Sequence, residues 1–198
     1  WFGFDITHSW FIGTERGLMA FVEHPEWLRE MYETEVEMNV ALAQTIFDAG
    51  YEFDEVCWPD DMGYKNSAFF SVDTYRDILK PVHKRAIDFA HDHGAVTHLH
   101  SCGGIMKLIP ELVDIGLDAL NPLEVKAGMD PLAIKAEFGK DLLLHGGINC
   151  LLWADLDAFK AEMRRVMPAM MADGGYIFAS DHSIPENVTI DDMHEIIA

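Results

Sequence analysis

The stretch Ala95-Val96-Thr97-His98-Leu99-His100-Ser101-Cys102-Gly103-Gly104 decides how this chain is read. Ala95-Val96-Thr97 leads in as a strand, and Gly103-Gly104 closes the run before a helical pattern begins. Side chains on a strand alternate between its faces, so His98, His100 and Cys102 all point the same way. His100 and Cys102 fall at the carboxyl end, where parallel α/β folds build their chemistry.

Outward from this segment, apolar runs of strand length alternate with helical patterns, which predicts βα units and a parallel sheet. Strands are expected around Glu55–Trp58, Ala119–Val125, Leu142–Ile148 and Tyr176–Ser180. Helices are expected over Glu15–Ala49 with a break near His24-Pro25, and from Ser71 to Gly94 with Ser71 or Asp73 as cap. Others are expected over Ile105–Gly116, Pro131–Phe138, Asp155–Asp173 and from Thr189. The aromatic start, Trp1 to Gly13, reads as β-rich. Eight βα units need roughly 250 residues, more than the 198 present. The expected architecture is therefore a (β/α)8 TIM barrel lacking its first strands, with residues 1–198 forming one domain. Pairing between chains, as a homo-oligomer, would cover the sheet edges that such a fragment exposes.

Composition narrows the partners. With 34 acidic against 14 basic residues the formal net charge is −20, which repels phosphate backbones and anionic surfaces, so neither nucleic acid nor membrane is an expected partner. No run approaches the roughly 18 apolar residues of a membrane span. Three widely spaced cysteines, Cys57, Cys102 and Cys150, suit a reducing compartment, and a cytoplasmic location is expected.

Laying the strands in parallel gathers Asp60 and Asp61, His100 and Cys102, Asn121 and Glu124, Asn149 and Cys150, and Asp181 and His182 on one rim. An imidazole with a thiolate suits zinc, which accepts both at tetrahedral geometry, although plain packing also fits the pair. A third ligand must come from another strand: His182 is the first choice and Cys150 the second, with Glu124, Asp60 or Asp61 as further carboxylate ligands. Asp60-Asp61 reads either as a proton-transfer pair or, for Asp60, as a turn cap before Gly63. His98 is expected to be a core histidine bonded to backbone and Cys57 a buried small hydrophobe. His83, His91, His93 and His194 are expected on helices as solvated or capping groups. Gly103-Gly104 and Gly146-Gly147 lack the spacing of a phosphate cradle.

Pro59-Asp60-Asp61-Met62-Gly63, His100-Ser101-Cys102-Gly103-Gly104, the run from Ile109-Pro110 to Asn121-Pro122, Gly146-Gly147-Ile148 and Asp181-His182-Ser183-Ile184-Pro185 together resemble the uroporphyrinogen decarboxylase superfamily. The resemblance implies a (β/α)8 barrel with further strands upstream of Trp1. In the decarboxylase branch it implies a cofactor-free site in which an aspartate and basic residues hold a polycarboxylate tetrapyrrole, with a histidine where His182 stands. In the cobalamin-dependent methyltransferase branch it implies a His-x-Cys pair and a distant cysteine that bind zinc, which activates a thiol to accept a methyl group. His100-Ser101-Cys102 matches the second pattern, with His182 in place of the distant cysteine. The arginines, Arg16, Arg29, Arg76, Arg85, Arg164 and Arg165, fall mostly on helices, which disfavours a substrate rich in carboxylates.

The expected function is thus a zinc-dependent methyltransferase that passes methyl between methylcobalamin, carried by a corrinoid protein partner, and a small-molecule substrate, best a thiol. Zinc would be held by His100, Cys102 and His182, with Cys150 in reserve, while Asp60, Asp61 and Glu124 position substrate or shuttle protons. The alternatives are a uroporphyrinogen decarboxylase of porphyrin biosynthesis, and a non-catalytic corrinoid-protein partner.

Overall fold

Leu99 and His100 leave their strand on opposite sides, and that division runs through the whole sheet. The computed structural model describes residues 1–197. Five strands, β1 (Glu55–Pro59), β2 (Val96–His100), β3 (Ala119–Asn121), β4 (Leu143–Ile148) and β5 (Tyr176–Ser180), pair in parallel and in sequential order. Register places Pro59 beside His100 and His100 beside Asn121. One face presents Trp58, Leu99, Leu120, Leu144 and Ile148, all buried beneath helices. By alternation the other face carries Cys57, His98, His100, Asn121 and His145. The first face holds the sheet together, since each fully buried leucine contributes about 1.5–3 kcal/mol. The second is free to carry polar chemistry. The fold is α/β, an open arc of the (β/α) barrel type.

The helices between the strands are Lys80–Asp92, Ile109–Asp114, Pro131–Phe138 and Leu156–Met171. Phe159, Val166 and Met170 of the last are buried, and Asp155 caps it by accepting from the Ala158 amide. Ser71 rather than Asp73 is the other cap, accepting from the Thr74 amide. The long amino-terminal helical region divides at His24-Pro25 into Thr14–Glu23 and Pro25–Asp48. Among the described residues no helix is long and apolar enough to cross a membrane.

Three boundaries differ from expectation. Trp1–Gly13 is helical, with an α-turn over Phe4–Ile6 running into a π-helical turn over Thr7–Phe11. Carboxylates from distant elements meet its amides: Glu35 accepts from the Gly3 amide and Asp60 from the Asp5 amide. Tertiary hydrogen bonding therefore overrides the β preference of its aromatic residues. β3 ends at Asn121 rather than near residue 125, because Pro122 has no N–H to donate and Leu123 turns to a φ of 59°. The helix expected from Ile105 starts at Ile109, after a tight turn in which the Leu108 amide donates to the Ile105 carbonyl.

Candidate metal centre at the carboxyl ends of the strands

β2 delivers His100 and Cys102 to the rim, and the turn after β5 delivers His182. The Cys102 Sγ lies 3.3 Å from His100 Nε2 and 3.6 Å from His182 Nε2. Two carboxylates flank these atoms. Asp61 Oδ1 is 3.8 Å from His100 Nε2, and Glu124 Oε2 is 3.8 Å from His182 Nε2. Both are anchored on the loop that follows β2, since the Cys102 amide donates to Asp61 Oδ1 at 2.8 Å and the Gly103 amide to Glu124 Oε2 at 2.7 Å.

Two glycines let the loops approach this closely. A Cβ built on Gly103 would lie 2.2 Å from the carbonyl carbon of Gly63, and Gly103 has a φ of 84° that other residues rarely adopt. The loops after β1 and β2 thus touch backbone to backbone, which carries Asp61 to Cys102.

The His100 ring is held from behind. His100 Nδ1 is bonded to the Asn121 Oδ1, while the Asn121 amide group donates to the His145 carbonyl at 3.3 Å. The second bond fixes which end of the amide faces His100. An oxygen acceptor then requires the proton on Nδ1, leaving the Nε2 lone pair aimed at Cys102. Asp181, fully buried, accepts from the amides of Val125 and Cys150. It ties the loops after β3 and β4 to the residue beside His182.

Burial, then the charges of Asp61 and Glu124, push the Cys102 thiol up to about 12. A divalent cation reverses that preference, because coordination deprotonates a thiol outright. The donor types, a thiol and two imidazoles, suit zinc. Zinc bonds of about 2.3 Å to sulfur and 2.0–2.1 Å to nitrogen, at a tetrahedral angle, set S···N separations of about 3.6 Å. The two sulfur–imidazole distances lie at and slightly below that value. Cys102 with Asp61 and His100, and Cys102 with Glu124 and His182, form two groups, in each of which the ligand atoms lie within 4.8 Å of one another. The two groups share only the sulfur, so one ion held by both rings requires His100 and His182 to draw together around it.

Other candidates stand elsewhere. Asp60 alternates to the helix side of β1 and is fully buried, its oxygens taken by the Asp5 amide and His83 Nε2, so it neither pairs with Asp61 nor caps the turn before Gly63. Cys150 is buried and groups with Asp181 and His182, not with Cys102. His83 is not solvated: it is fully buried between Asp60 and the Tyr75 hydroxyl. His98 is buried as expected, but Nδ1 faces the Glu55 carboxylate at 3.0 Å instead of backbone. Cys57, on an edge strand, is exposed rather than buried. His145 on the inner face escaped the sequence reading, although alternation within Leu142–Ile148 places it there.

The family model for uroporphyrinogen decarboxylase (URO-D) matches residues 9–198. The chain belongs to that family. It is 27% identical over 150 residues to "Methylcobamide:CoM methyltransferase MtaA" of Methanosarcina barkeri, a match covering 72% of this chain and 40% of that protein. A solved methyltransferase from Methanosarcina mazei superposes with a TM-score of 0.73 at 20% identity, covering 99% of this chain and 55% of that one. This URO-D chain therefore spans about half the length of the relatives it matches, and the structural likeness establishes the fold.

Proposed function

We propose that the rim cluster binds zinc through His100, Cys102 and His182 and serves methyl transfer between a corrinoid carried by a partner protein and a small thiol. The observation that carries this reading is the convergence of one sulfur and two imidazole nitrogens within 3.6 Å of that sulfur. The similarity to a relative named as a methylcobamide:CoM methyltransferase supports it.

Zinc bound at such a site supplies Lewis acidity that makes a substrate thiol a thiolate at neutral pH. The residues of the chain do the rest. Asn121 keeps His100 in the tautomer that can ligate. Glu124, with a side chain only 13% exposed and 3.8 Å from His182 Nε2, is placed to take the proton that an arriving thiol gives up. Asp61 uses one oxygen to hold the Cys102 amide, leaving the other for substrate. Cys150, grouped with Asp181, stays outside the primary ligand set.

A tetrapyrrole carboxylate substrate would instead need cations at the rim. Arg29, Arg76, Arg85 and Arg165 are each paired with acidic side chains on outer helices, which favours methyl transfer over decarboxylation. The test is elemental analysis of the purified protein and of Cys102→Ala, with an assay of methyl transfer from methylcobalamin to a thiol. Loss of one zinc equivalent and of transfer is expected in the variant. Unchanged metal content would reject the ligand assignment, and carbon dioxide released from uroporphyrinogen would favour the decarboxylase.

A further inference from the structure

A second set of donor side chains lies deeper on the same inner face. Glu55 and Cys57 come from β1 and His98 from β2, with Cys57 and His98 directly opposed in register. These three offer ligand atoms within 4.8 Å of one another, in a group that does not include His145, and Glu55 and Cys57 are exposed while His98 is buried. His98 has a side chain only 9% exposed. Its Nδ1 meets Glu55 Oε1, and its Nε2 is buried with no hydrogen-bond partner among the described residues. His145 of β4 repeats the situation, its buried Nδ1 likewise lacking a partner among the described residues. The two rings lie 5.3 Å apart between centroids, inclined at 48°. β3 runs between them, and the register partner of His98 there is Ala119, whose side chain is too small to separate the rings.

We propose that His98 and His145, with Cys57 beside them and Glu55 orienting His98 from behind, form a second site, for a soft divalent cation such as zinc, beneath the rim cluster and independent of it. Two buried ring nitrogens without partners on neighbouring imidazoles call for a shared occupant, since a buried polar atom left unsatisfied loses its hydration with nothing in return. The spacing fits one ion. Two imidazoles on a tetrahedral zinc, with bonds of about 2.0–2.1 Å, place their ring centroids about 5 Å apart. Glu55 at Nδ1 plays the orienting part that a carboxylate commonly plays behind a metal-bound histidine, fixing the proton on Nδ1 and freeing Nε2. Cys57 adds a thiolate from the neighbouring strand. The donor set of imidazoles and sulfur selects zinc or cobalt over magnesium or calcium.

Cobalt(II) alone is the probe. The full chain is stripped with a chelator and titrated while the visible d–d absorption is followed, alongside Cys102→Ala, His98→Gln and His145→Gln, each checked for native circular dichroism. Two equivalents are expected for the parent protein, with one lost in Cys102→Ala and the other in either histidine variant. If the parent takes up one equivalent that only Cys102→Ala removes, or if His98→Gln still takes up two, the second site does not exist and a bridging water occupies the space. If one equivalent is lost in His98→Gln but kept in Cys102→Ala, the inner site stands and the rim assignment fails. Should His98→Gln not fold, His145→Gln alone decides.

Discussion

His83 Nε2 stands 2.8 Å from Asp60 Oδ2, and neither side chain reaches solvent. A carboxylate only accepts, so the proton sits on Nε2 and the opposite nitrogen accepts from the Tyr75 hydroxyl at 3.0 Å. Asp60 also holds the Asp5 amide, so the pair fastens the amino-terminal turn to the sheet. Removing His83 strands the Asp60 carboxylate in the interior. His83→Ala is expected to cost about 3–5 kcal/mol of stability, read from urea denaturation. A loss below about 1 kcal/mol would show that the carboxylate finds another partner.

Asn121 never reaches the cation in the proposed site, yet it sets the nitrogen of His100 that does. Asn121→Ala should therefore lower zinc affinity about 10–100-fold while leaving the fold in place. Competition with a colorimetric chelator measures this, and an affinity equal to that of the parent would remove Asn121 from the metal site.

Acid should act elsewhere first. The Arg76 guanidinium and then the Lys80 ammonium hold the Glu111 carboxyl down to about 2, against an ordinary value of 4.5. A depressed acid contributes stability that is full above its unfolded value and lost as the pH falls toward the folded one. Glu111→Gln should accordingly destabilise by about 1 kcal/mol near neutrality, a modest figure because Arg76 is half exposed to solvent. The difference from the parent should shrink as the pH drops from about 4.5 to about 2. Denaturation midpoints across that window check it, and a pH-independent difference would mean that packing rather than charge is responsible.

The contact between Gly63 and Gly103 leaves no room for a methyl group. Gly103→Ala is expected to cost about 1–3 kcal/mol from the left-handed backbone and the overlap. It should also weaken metal binding, because the moved amides are those that hold Asp61 and Glu124. Normal metal uptake in a folded variant would show that the loops can part without disturbing the ligands.

Much of this was legible in the residues. The alternation of His98, His100 and Cys102 gave the face, and the repetition of apolar runs and helices gave five parallel strands with their rims aligned. His182 could be chosen as the remote partner because it follows a strand end. What escaped depended on contacts between distant segments. Asp60 and Asp61 are neighbours that alternation sends to opposite sides, one to His83 and one to Cys102. The aromatic amino terminus becomes helical because carboxylates 32 and 55 positions away bond its amides, information that no local window contains. His83 looked like a surface histidine because its partners, Asp60 and Tyr75, are revealed only by packing.

Cys102 and His182 are 80 positions apart, on strands separated by two others. An ion gripped by both would be a staple across the arc, fastening the second strand to the fifth. At a cation concentration 100 times the dissociation constant, such a staple adds about 2.7 kcal/mol, so stripping the metal would loosen β5 as well as end the transfer.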